Sequence, residues 1–130
     1  SNSMSPYRNK PEAGVPAAVA LQGRDDGPMD PDIAGAITDR ASEAAAFMKA
    51  LSHEGRLMIL CHLAAHERSV TELEALLSAR QAAVSQQLAR LRMEGLVSAR
   101  RDGKAIIYAI RDPKVLRQIL LMQELFGVAA

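Results

Sequence analysis

Six side chains between positions 80 and 90 are of the types that read a nucleic-acid duplex: Arg80, Gln81, Ser85, Gln86, Gln87 and Arg90. An amide pairs two-handed with adenine, a guanidinium with guanine, and a hydroxyl with a base edge or a phosphate. A second cationic group, Arg100, Arg101 and Lys104, flanks Asp102-Gly103. Cations there suit the phosphate backbone or the minor groove, where they position a protein rather than specify a sequence. A third set is Cys61, His62 and His66. A lone thiol carries redox or persulfide chemistry only if its pKa is lowered, and His62 is its one nearby helper in sequence. The plainer reading of Cys61 is a small apolar core residue. His62 and His66 stand four apart, as two ligands on one helix face would, but two ligands make a weak metal site.

These groups need elements to carry them. Apolar residues at helical spacing (Ile33, Ile37, Ala41, Ala44, Met48, Leu51) predict a first helix over 32–51. Ser52 is the expected cap of a second helix, 53–65, with Leu57, Leu60, Cys61 and Ala64 on one face. Ser69-Val70-Thr71-Glu72 has capping-box spacing and opens a third helix to about Leu77, with room for a short strand around Ser69. After the turn Ser78-Ala79-Arg80 comes a fourth helix, 81–94, with Val84, Leu88 and Leu91 inward and Gly95 as its stop. A short helix, a three-residue turn and a helix polar on its outer face make a helix-turn-helix. Two β-prone runs, 96–101 and 104–110, meet at Asp102-Gly103, a strong signal for a type I′ hairpin. Asp112-Pro113 then starts a last helix, as cap and first residue, running to about Phe126. The expected fold is mostly α with a small β-hairpin, in the order α-α-α-α-β-β-α: a winged helix-turn-helix.

Composition sets bounds. The 130 residues hold 16 Lys+Arg, 15 Asp+Glu and one Cys, and 48% are hydrophobic, which suits one small domain with a core. The net charge of +1 hides a polarised chain. Residues 78–104 carry six basic and two acidic side chains, whereas 32–77 carry four basic and seven acidic. The basic pole coincides with the fourth helix and the hairpin, where phosphate neutralisation would supply non-specific affinity. One cysteine excludes an intrachain disulfide and suits a reducing compartment. No apolar run approaches the ~18 residues of a membrane span, and no export leader is visible. Ser1-Asn2-Ser3 before Met4 reads as a vector-derived remnant. Residues 1–31 hold five of the six prolines without apolar period, and read as a disordered or loosely docked tail before a domain at 32–130.

With those residues in place, a resemblance is visible. The stretches 51–60 (LSHEGRLMIL), 69–73 (SVTEL) and 83–97 (AVSQQLARLRMEGLV), with the hairpin tip Arg100-Arg101-Asp102-Gly103-Lys104 and Tyr108, resemble the ArsR/SmtB family of bacterial winged-helix repressors. The likeness covers about positions 41–126. It implies a homodimeric regulator that binds an operator and is released by an inducer, here unknown. Metal-sensing relatives carry thiols at the start of the third helix or Asp/His ligands on the last one. The stretch Glu67-Arg68-Ser69-Val70-Thr71-Glu72 has no thiol and the last helix no His, so no metal or other cofactor is expected. Cys61 resembles the second-helix cysteine of the persulfide- and redox-sensing (BigR/SqrR-like) branch. That branch pairs it with a second cysteine, whose place falls near Gly127 here, so only single-thiol chemistry is left.

A homodimer also follows from pattern. Val115, Leu116, Ile119, Leu120, Leu121, Met122, Leu125 and Phe126 make the last helix apolar on more than one face, and the first helix is Ala-rich. Pairing through these two would hold twin reading helices about one DNA turn apart. The expected partners are therefore duplex DNA and a second copy, in the cytoplasm with the nucleoid. Two alternatives stand beside this: the same fold as a protein-interaction module, and a regulator that has lost its inducer response. An enzyme with Cys61 as nucleophile needs a base, an orienting group and an oxyanion site, and only His62 lies nearby; no Gly-rich phosphate loop, His-Glu-x-x-His or paired-carboxylate motif occurs.

Overall fold

The helical signal over 32–51 breaks in the folded chain. The protein, seen as a computed structural model, is described over residues 29–128, so positions 1–28 of the expected tail and the last two residues lie outside the described part. Two units divide at Ser42/Glu43. In the first, α1 (Ile33–Ile37) is followed by a 3-10 turn (Thr38–Arg40). Asp32 caps α1 by accepting from the Gly35 amide at 3.0 Å. Ile37 leaves helical geometry (φ −114°, ψ 1°), and the Thr38 hydroxyl donates back to the Ala34 carbonyl. Such back-bonding from Thr competes with helix continuation, which corrects the single helix expected there. Helix α2 (Ala41–Leu51) starts afresh.

In the second unit, which holds α2 from Glu43 onward, α3 (Glu54–Ala65), strand β1 (Arg68–Ser69), α4 (Val70–Leu77), α5 (Gln81–Met93), β2 (Val97–Asp102), β3 (Ala105–Ile110) and α6 (Pro113–Phe126) follow in order. The strand around Ser69 is real: β1 adds antiparallel to β3, giving a sheet in the order β1-β3-β2. The architecture is the expected winged helix-turn-helix.

Caps set most boundaries. Ser69 and Glu72 make the reciprocal capping box of α4, at 3.1 and 2.8 Å. Asp112 caps α6 with Pro113 in the first turn. The cap of α3 is His53, not Ser52: its Nδ1 accepts from the amides of Gly55 (3.0 Å) and Arg56 (3.4 Å), while the Ser52 hydroxyl turns back to the Lys49 carbonyl. A Cβ on Gly55 would sit 3.0 Å from the imidazole, so the small residue makes room for this cap. The hairpin register also differs by one. Asp102 pairs with Ala105, which leaves Gly103 and Lys104 as the turn. Only Gly103 has positive φ (64°), the pattern of a type II′ turn with glycine first.

The core joins the helices of this unit to β2, with Tyr108 and Ile110 of β3 packed against it. Ala50 and Leu51 of α2, Ile59, Leu60 and Leu63 of α3, Leu73 of α4, Val84, Leu88 and Leu91 of α5, Leu96, Val97, and Val115 of α6 form one cluster. Ile59 and Leu63, not Cys61 and Ala64, share the buried face of α3 with Leu60. That helix is apolar nearly all round, so its period does not select a face.

Candidate nucleic-acid interface

Helix α5 is held from beneath and at both ends. Val84, Leu88 and Leu91 are almost fully buried. At its C-terminus, Leu96 N–H reaches the Leu91 carbonyl and Gly95 N–H the Arg92 carbonyl, with Gly95 at φ 78°. This is the Schellman arrangement, which needs a left-handed residue and so favours glycine. Before α5, the turn from α4 passes through Ser78 at φ 50°, and the Ala79 amide bonds to the Glu74 carbonyl. The turn is thereby tight enough for α4 to brace α5.

The opposite face of α5 faces solvent. Arg80, Ser85 and Gln86 are exposed, as are the small residues Ala82, Ala83 and Ala89, which allow close approach to a ligand. The side chain of Gln81 lies outside the described part. Arg90 is half-buried and pairs with Glu94 one turn on, at 3.1 Å. Gln87 behaves differently from its neighbours. Its Oε1 accepts from Nη1 of Arg56 at 3.0 Å, so it leans toward α3.

On the wing, strand alternation sends neighbouring cations to opposite faces. Arg100 pairs across with Ile107, and Arg101 with Ile106 on the face that also carries Val97 and Tyr108. The Arg100 guanidinium is bonded to Glu67, just ahead of β1, and lies 3.9 Å from Asp102. That hydrogen bond to Glu67 raises its pKa further. Arg101 and Lys104 are exposed at the tip and make no ion pair among the described residues. The sequence treats the three wing cations alike; the fold separates one braced arginine from two open cations.

The sensor candidates sit elsewhere. Cys61 lines a groove of about 900 Å³ between α3 and α6, with Leu57, Ala64, Leu120 and Phe126 among its walls. Burial pushes the thiol up from its ordinary pKa, the reverse of what a reactive thiolate requires. Gly127 lines the same groove, and a Cβ there would come within 2.5 Å of the Gln123 carbonyl oxygen. His66 does not share a helix face with His62. It caps α3 in extended geometry (φ −172°) and its Nδ1 lies 2.9 Å from the Glu67 carbonyl. The helix stops one residue short of it. No cluster of three or more His, Cys, Asp or Glu able to hold a metal occurs among the described residues.

Two roles were missed in the sequence, Arg56 as the partner of Gln87 and His53 as the cap of α3. A signal existed for the first. Arg56 falls on the same helical stripe as Ile59, Leu60 and Leu63, just as Gln87 falls on the stripe of Val84, Leu88 and Leu91. Two polar residues on facing apolar stripes suggest a buried pair. Nothing local distinguishes His53 from Ser52 as a cap.

Known proteins share this arrangement. Residues 53–99 match the family described as bacterial regulatory protein, arsR family. A biofilm growth-associated repressor of Agrobacterium fabrum is 45% identical over 91 residues, covering 70% of this chain and 78% of that protein. The transcriptional activator HlyU of Vibrio cholerae is 38% identical over 86 residues, covering 66% and 80%. The crystal structure of the transcriptional repressor BigR from Xylella fastidiosa superposes with a TM-score of 0.70 at 37% identity, over 73% of this chain and 97% of that one. A helix-turn-helix braced as described, a basic wing beside it and relatives this similar over most of their length make the chain a winged-helix transcriptional regulator of the arsR family.

Proposed function

We propose that this chain is a homodimeric repressor that lays the outer face of α5 in the major groove of an operator and sets its wing tip on the adjoining backbone. The observation that carries the reading is the division of α5 into two faces. Val84, Leu88 and Leu91 are withdrawn into the core, while Ser85 and Gln86 stand exposed beside Arg80 and Arg90. A helix so divided presents hydrogen-bonding groups without obstruction from its own subunit. Arg101 and Lys104 supply phosphate contacts; Arg100 braces the wing through Glu67. The relatives' printed names include both repressor and activator, and repression follows the Agrobacterium fabrum protein.

Dimerisation is read from exposed apolar surface. Leu116, Leu120, Leu121, Leu125 and Phe126 of α6 are exposed, as is Met48 of α2. Five large apolar side chains along one helix are more than a solvated monomer surface ordinarily carries. No helix is long and apolar enough to cross a membrane among the described residues, and binding an operator would keep the protein with the nucleoid. Catalysis has no part in this reading.

A modulating role for Cys61 rests on place rather than acidity. An adduct on its Sγ would lie in the α3–α6 groove, where bulk pressing on Leu120 and Phe126 would shift α6 and with it the spacing of the twin α5 helices. The experiment for the main reading is duplex binding by fluorescence anisotropy across a salt series. Sequence-selective, salt-sensitive binding lost in Gln86→Ala/Arg90→Ala supports it, and binding retained in that double variant overturns it. Operator affinity of wild type and Cys61→Ser with and without polysulfide tests the modulation; identical responses remove Cys61.

A further inference from the structure

Arg100 is the wing cation with acidic company. It lies on β2, and its row in the sheet runs through Ile107 of β3 to Ser69 of β1. Side chains two apart on a strand point to one face, so Arg100 and Asp102 share a face of the wing. Glu67, two residues before Ser69, reaches the same face and accepts from Nη2 of Arg100. The Oδ2 of Asp102 lies 3.9 Å from the neighbouring Nη1. Both terminal nitrogens of this guanidinium therefore have a carboxylate beside them. Arg101, on the other face, and Lys104, in the turn, have none among the described residues.

The side chains of Arg100 and Glu67 are 54% and 47% exposed. An ion pair so open to water adds little to stability. It weighs more on the charge that the wing shows to DNA. Duplex binding draws on protein cations that displace the counterions condensed on phosphates. A guanidinium flanked by carboxylates brings like charge up to the phosphate and loses that effect. Distance does not excuse it from counting. Arg100 stands three residues before Gly103, about 10 Å along the strand, which is about one Debye length in physiological salt. We infer that Glu67 is a positioning residue that withholds Arg100 from DNA phosphates, so that the wing grips a duplex through Arg101 and Lys104 alone. The consequence is a ceiling on sequence-independent affinity, because phosphate contacts hold any duplex alike. The inference rests on the DNA-binding function proposed above.

The test is the affinity and salt slope of binding to a scrambled duplex, read by fluorescence anisotropy. The full chain is compared as wild type, Glu67→Gln, Arg100→Ala and Glu67→Gln/Arg100→Ala. Glutamine keeps an oxygen for Nη2, so the brace on the wing survives while the carboxylate charge is gone. Glu67→Gln is expected to bind about tenfold tighter and to steepen the slope by about 2 per dimer, one phosphate at each wing. Arg100→Ala alone leaves the slope nearly unchanged. In the double variant both gains vanish, and its affinity and slope match those of Arg100→Ala.

A gain that persists in the double variant traces to lost repulsion by Glu67 itself and overturns the inference. So does a Glu67→Gln protein with the wild-type slope, or one that binds more weakly, as loss of a structural brace would produce. Each of these outcomes leaves the DNA-binding function standing. A wild type that binds no duplex in a salt-dependent way removes both.

Discussion

Single residues here are governed by who holds their hydrogen bonds. Ser69 and Glu72 satisfy each other's amides at the start of α4, and that backbone hydrogen bond from Ser69 is the largest influence holding the Glu72 carboxyl below its usual range. Ser69→Ala is expected to cost about 1 kcal/mol in urea unfolding, the usual cost of a lost N-cap. A depressed carboxylate contributes stability above its unfolded pKa and loses it as pH falls through the folded one. The gap between wild type and Glu72→Gln therefore closes as acid protonates Glu72; a gap that widens on acidification contradicts the capping role. Cys61 shows the opposite displacement. Burial raises its pKa, so its alkylation by iodoacetamide should climb about tenfold per pH unit and keep climbing past the pH at which a small free thiol levels off. A plateau earlier than that of the free thiol would show an activated thiolate and restore the case for direct redox sensing.

At the scale of elements, the wing divides its cations by strand alternation and by an acidic neighbour. Arg100 is bonded to Glu67, whereas Arg101 and Lys104 are open. Each phosphate left without its protein cation lowers the salt slope of duplex binding by about 0.9. Arg101→Ala is accordingly expected to reduce the slope by about 2 per dimer, one phosphate at each wing. Arg100→Ala should leave the slope nearly unchanged and loosen the wing instead. Equal slopes for the two variants would contradict this division. The helix-turn-helix holds a second local feature. Ser78 occupies a left-handed position without glycine's freedom. Ser78→Gly should stabilise the domain by up to about 1 kcal/mol, the range of left-handed strain relieved at a helix end. Destabilisation instead would place a needed Ser78 side-chain interaction in the turn.

For the whole molecule, the exposed apolar row on α6 sets the oligomeric expectation. Leu120 is 63% exposed near the middle of that row. Leu120→Glu puts a carboxylate into any interface built there at little cost to the isolated fold. Light scattering should report a monomer, and operator affinity should fall about 10²-fold as the second half-site becomes an independent event. A variant that stays dimeric moves the interface off α6. The buried core takes no large side chain of α6 beyond Val115 among its fully buried members, so the exposed apolar row lies outside it.

Local chemistry was enough for much of this protein. The capping box at Ser69, the Schellman stop at Gly95, the Asp112-Pro113 start and the inner row Val84, Leu88 and Leu91 are set within one or two helical turns, so their spacing alone encodes them. The exposed polar stripe of α5 is likewise legible, because a solvent-facing row needs no partner to define it. Tertiary structure decided what depends on distant groups. Gln87 meets Arg56 across 31 positions and Arg100 meets Glu67 across 33. The face that α3 buries was settled by neighbours, since an all-round apolar helix has no preferred side of its own. The turn residue of the hairpin and the cap of α3 each moved by one, because competing hydrogen-bond partners of nearly equal merit are chosen only when strands and helices dock. Spacing tells which side chains share a surface; only the packed chain tells which of them are already taken.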